Sequence, residues 1–127
     1  MSKTIVNTKG APEPIGPYSQ AVKAGWLLFL SGQIALVPGT SELKNDNITE
    51  ETRQVMENLK AVLHEAGRDF SNILKTTIFL KDMNSFGEVN AEYGRYFEKD
   101  FPARETVAVK TLPKDVNVEI SMIALAQ

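Results

Sequence analysis

Only two segments of this 127-residue chain carry helical periodicity, while the others read as strands. In the first, Val55, Leu59, Val62, Leu63 and Ala66 recur at helical spacing. Thr49 is placed to cap it, Glu50 and Glu51 occupy the first turn where the helix dipole favours negative charge, and Gly67 follows its end. In the second, Ser85-Phe86-Gly87-Glu88 has capping-box spacing, and Phe86, Val89, Tyr93 and Phe97 form an apolar stripe until Phe101-Pro102 stops it. Strands are read at Lys3–Asn7, Ser19–Ala24, Trp26–Ser31, Ile73–Lys81, Arg104–Thr111 and Val116–Ala126. Gly25 turns the second into the third, and Leu112–Asp115 joins the last two. The order is β, ββ, α, β, α, ββ. Two helices cannot cover both faces of a five- or six-stranded sheet, so both pack on one face, which makes an α+β two-layer sandwich.

Residues 10–17 hold three prolines and two glycines, which prevents regular structure there, and Val37–Asn47 reads as a loop around Pro38-Gly39. No internal repeat or linker divides the chain, so residues 1–127 are read as one domain. The sequence contains no cysteine, which excludes disulfides, thiol nucleophiles and thiolate metal sites. Its one histidine, His64, excludes multi-histidine metal centres and any Ser-His-Asp relay that does not pass through it. His64 lies off the apolar stripe and reads as a solvated helix-surface residue. A net charge of −2 with dispersed lysines gives no basic stripe for nucleic acid. The longest apolar run, Trp26–Leu30, is far shorter than a membrane span, and no targeting segment is visible, so a soluble cytoplasmic protein is expected.

Along the last strand, Val116, Val118, Ile120, Met122 and Ala124 share one side, read as the helix-facing core, and Glu119 lies on the other. The strand segment Trp26–Leu30 is apolar on both sides and so calls for burial on both. With no third helix to supply it, the second cover is expected to be another copy of the chain. If Val107 faces the helices, Arg104 and Thr106 share the open face with Glu119. An Arg and a Glu there form either a structural ion pair or the lining of a pocket.

Several segments resemble one known family. They are Gly16-Pro17-Tyr18-Ser19-Gln20-Ala21, Ser31-Gly32-Gln33-Ile34, Lys75 through Met83, Val89-Asn90-Ala91-Glu92-Tyr93, Phe101-Pro102-Ala103-Arg104, and Leu112 through Val116 with Val118-Glu119-Ile120. In order and spacing this chain resembles the RidA (YjgF-type) imine deaminases over nearly its whole length. The resemblance implies a chorismate-mutase-like α+β fold, assembly as a homotrimer, and substrate clefts between subunits. It implies hydrolysis of 2-imino acids, such as 2-iminobutanoate and 2-iminopropanoate, to 2-keto acids and ammonia, protecting pyridoxal-phosphate enzymes, with no cofactor and no metal.

Carried onto this sequence, the resemblance makes Arg104 the anchor of the substrate carboxylate, a task that suits a guanidinium's parallel donors. Glu119 would activate water and shuttle protons. Tyr18 and Ser31 would shape the pocket from a different subunit, Gly32 would let bare backbone approach the ligand, and Asn90 would support the cleft. Thr106 stands where many family members have a cysteine. If only the backbone N–H matters there, the replacement is harmless. Two other readings stay open: a carboxylate-binding regulatory protein without turnover, and an endoribonuclease or translation inhibitor.

Overall fold

The computed structural model describes residues 2–127. The elements are β1 (Thr4–Val6), β2 (Ala21–Ala24), β3 (Leu27–Gln33), α1 (Ile48–Glu65), β4 (Ile73–Leu80), α2 (Phe86–Gly94), β5 (Ala103–Ala108) and β6 (Val118–Leu125). The strands form one six-stranded sheet in the order β1-β2-β3-β6-β4-β5. Every neighbouring pair is antiparallel except β4 and β5, which run parallel across the α2 crossover. Both helices pack on one face, so the α+β two-layer architecture read from the sequence holds.

The helix-facing layer follows the apolar periodicities. Val55, Leu59, Val62 and Leu63 of α1 are fully buried against Leu28, Ile78, Leu80, Val118, Ile120 and Ala124. Each such side chain contributes about 2 kcal/mol of burial. α1 ends as expected: Gly67 has φ +72°, its N–H donates to the His64 carbonyl, and the Arg68 N–H donates to Leu63. Its start differs. The cap is Asn47, whose Oδ1 accepts from the Glu50 N–H at 2.9 Å, because the first helical residue is Ile48 rather than Glu50. The capping box read at Ser85 does not form either; Ser85 has αR backbone angles and caps nothing, because a 3-10 turn (Met83–Ser85), capped by Asp82, feeds into α2.

Glu51 is not a surface charge of the first turn. It is fully buried, and its carboxylate accepts from the Asn117 N–H, the Asn117 amide and the Val118 N–H at 2.8, 2.8 and 3.1 Å. Strand β4 also departs from simple alternation. A register shift between Ile73 and Lys75 turns Ile73 into the core and leaves Leu74 exposed, the reverse of strict period-two reading.

The opposite sheet face is incompletely covered. It carries Ile5, Val22, Phe29 and Ile123 as register neighbours, with Ile5 52% and Phe29 43% exposed. At its other end, Phe79 packs on a small second cluster of Ile34, Leu36, Leu112 and Val116.

Candidate active site

Strand register decides where the two ionisable candidates stand. Thr76 and Ile78 of β4 are buried under the helices, and they pair with Arg104 and Thr106 of β5. Register partners share a face, so Arg104 and Thr106 lie on the helix side. Val107 pairs with Phe79 and lies on the open side, where it is 43% exposed. Glu119 also pairs with Phe79. Arg104 and Glu119 of one chain therefore occupy opposite faces of the sheet, and the common open face expected for them is corrected. The conditional that Val107 faces the helices fails because β5 is an edge strand whose apolar residues do not follow the core.

On the helix side, Arg104 reaches out at the sheet edge beneath α2. Its Nη1 donates to Asn90 Oδ1 at 2.8 Å, and its guanidinium carbon lies 5.1 Å from the Tyr93 ring centre and 5.7 Å from that of Phe86. Asn90, Tyr93, Gly94, Phe101, Pro102 and Arg104 line an open cleft of about 530 Å³. Arg104 forms no ion pair among the described residues, which removes the intrachain Arg104–Glu119 bridge. Thr106 Oγ1 is buried inside the chain with no hydrogen-bond partner, so its hydroxyl does not reach the cleft surface.

On the open side, Glu119 sits across from a bulge. Between Leu30↔Met122 and Gln33↔Ile120, β3 places two residues, Ser31 and Gly32, opposite the single Ser121 of β6. Bulges of this kind re-aim side chains and backbone. A Cβ at Gly32 would fall inside the envelope of Glu119 Oε2 and stand 2.9 Å from its Cδ, so the carboxylate occupies the space that glycine leaves. Burial raises the Glu119 pKa above its ordinary value, with no neighbouring cation to offset it. The Ser31 hydroxyl donates to the Ser19 carbonyl at 2.6 Å and ties the bulge to the preceding loop.

That loop carries Tyr18, which is 51% exposed. Tyr18 and Gly32 line one narrow cavity of about 70 Å³ together with Ile15, Gln33 and Pro113. Its shape depends on a residue the sequence analysis did not single out. Gln20 is buried, accepts from the Thr8 N–H at 2.7 Å, and donates to the carbonyls of Thr8, Ala11 and Pro12. The available signal was an amide placed directly after a proline-rich loop whose carbonyls need donors.

The expected residues thus fall into two groups in one chain. Tyr18, Ser31, Gly32 and Glu119 gather around the β3 bulge, whereas Arg104 and Asn90 gather at the β5 edge. His64 lies apart from both and is exposed. No described helix is long and apolar enough to cross a membrane.

The profile of the Endoribonuclease L-PSP family matches residues 8–126. A RutC family protein of Pyrococcus horikoshii is 50% identical over 122 residues, covering 96% of this chain and 97% of the relative. The structure of a Yersinia pestis protein described as belonging to the conserved Rid protein family superimposes with TM-score 0.94 at 46% identity, covering 98% of this chain and 99% of its own. Escherichia coli TdcF, solved with bound serine, superimposes with TM-score 0.91 at 39% identity, covering 96% and 98%. The chain belongs to the Endoribonuclease L-PSP family, the YjgF- or RidA-type proteins.

Proposed function

We propose that this protein hydrolyses small 2-imino acids to 2-keto acids and ammonia in a cleft between two subunits of a homotrimer. The observation that carries this reading is the separation of Arg104 and Glu119 onto opposite sheet faces, Arg104 lining an open cleft and neither paired with an opposite charge. A second copy packed on the open face would bring Arg104 of one subunit toward Glu119 of the partner subunit, with Tyr18, Ser31 and Gly32 on the Glu119 side. The exposed apolar residues of that face favour such packing.

The chemistry follows from the groups. A 2-imino acid offers a carboxylate and, one bond away, an electrophilic C=N carbon. Arg104 uses one N–H on Asn90 and keeps a fork of donors for the carboxylate. Glu119 holds a carboxylate with raised proton affinity. It takes a proton from water as the C–O bond forms at C2 and passes that proton to nitrogen, which receives the C=N electron pair. The resulting carbinolamine expels ammonia when Glu119 carries the hydroxyl proton to nitrogen. The C–N bond breaks and the hydroxyl loses its proton to give the keto acid. Imine and water become keto acid and ammonia, with no electron gained or lost. For an enamine substrate, the protonated carboxyl gives its proton to C3 and takes one back from nitrogen, which forms the imine.

The bound serine of the TdcF relative supports recognition of a small carboxylate, and it equally suits a binding protein without turnover. Ammonia and keto-acid release from freshly generated 2-iminobutanoate and 2-aminoacrylate tests the first reading. Acceleration over spontaneous hydrolysis by wild type, lost in an Arg104→Ala protein of native oligomeric state, is the expected result. Tight keto-acid binding without acceleration would favour the second.

A further inference from the structure

The geometry points to Tyr93 and Phe86 as positioning residues that hold the Arg104 guanidinium ready for the substrate carboxylate. The inference rests on the proposed anchor role of Arg104 and adds how that anchor is built. An arginine has a long flexible stem, and binding an anion with it forfeits rotamer freedom unless the stem is already fixed.

Phe86, Asn90 and Tyr93 follow one another at spacings of four and three, which places them on one face of α2. That face meets Arg104 at three points. The two rings lie 5.7 and 5.1 Å from the guanidinium carbon, within cation–π range, and Asn90 Oδ1 accepts from Nη1 at 2.8 Å. The Tyr93 ring is itself fixed. Its hydroxyl donates to Thr76 Oγ1 at 2.9 Å, and Thr76 is the fully buried register partner of Arg104 on the adjacent strand. The strand beside the arginine therefore pins the ring that flanks it. Position 93 belongs to the apolar stripe of α2, but its hydroxyl and ring face serve the anchor as well as the core.

Calorimetric titration with 2-oxobutanoate, which keeps the carboxylate and lacks the imine, tests this. Tyr93→Leu and Phe86→Leu are each expected to weaken binding by about fivefold to tenfold. The same variants should raise KM with kcat largely kept. Tyr93→Phe, which retains the ring, should recover most of the affinity. Tyr93→Leu should cost nothing further in an Arg104→Ala background. Phe86→Leu, at a half-buried site, carries the test if Tyr93→Leu does not fold. Wild-type affinity in both leucine variants overturns the inference, as does an equal loss in the Arg104→Ala background, which would mark a general packing effect. Binding that Arg104→Ala leaves untouched overturns the anchor role itself, and the clamp with it.

Discussion

Gly32 and Glu119 share one small volume, and each makes a prediction. Alanine at position 32 would stand within 2.9 Å of Glu119 Cδ and push the carboxylate aside. Misplacing a catalytic group by about 1 Å costs on the order of a hundredfold in rate. Gly32→Ala is therefore expected to lower kcat for imine hydrolysis by that order, read as ammonia release against wild type. For Glu119, burial raises the folded-state pKa above the unfolded value of about 4.3. Its contribution to stability is then fully present below about pH 4.3 and is lost as pH rises through the folded pKa. Glu119→Gln should melt at a higher temperature than wild type at neutral pH. Calorimetry should find that gain shrinking to nothing below about pH 4. A gain that persists in acid would mean that burial of the ionised form is not its source.

At the scale of elements, α1 and β6 are joined through Glu51. Its carboxylate is the acceptor for the backbone N–H groups of Asn117 and Val118, directly before Glu119. Leaving both donors unmet in Glu51→Ala is expected to cost about 3 kcal/mol. A chain of this length then loses about 10 °C in Tm by thermal denaturation. The sequence pattern announced the layers because α1, β4 and β6 bury apolar residues at their own periods. It announced the Gly25 hairpin and the Gly67 helix end because positive φ is cheapest for glycine. It did not announce Glu51, since a glutamate in a first turn fits the helix dipole whether it faces water or a neighbouring strand. Nor did it announce the side of the sheet that Arg104 faces. An edge strand exposed on both sides has no apolar alternation to read, and only its pairing with Thr76 settles the matter. The β3 bulge that seats Glu119 under Gly32 was equally invisible, because one extra residue between two strands leaves no mark on either sequence.

For the whole molecule, the two groups of candidate residues act together only if copies of the chain meet. The apolar open face predicts a stable oligomer, and light scattering on the purified protein should return three times the chain mass of 14.0 kDa. The more searching test mixes two variants, each inactive alone. Arg104→Ala chains keep Glu119, and Glu119→Ala chains keep Arg104. When equal amounts are denatured and refolded together, about one quarter of the sites between subunits should regain both wild-type groups. The account predicts that the co-refolded mixture recovers about a quarter of wild-type imine hydrolysis, while the separately refolded variants mixed afterwards stay inactive. No recovery from a mixture whose hetero-oligomers are confirmed by mass would place Arg104 and Glu119 in separate tasks and contradict the shared site.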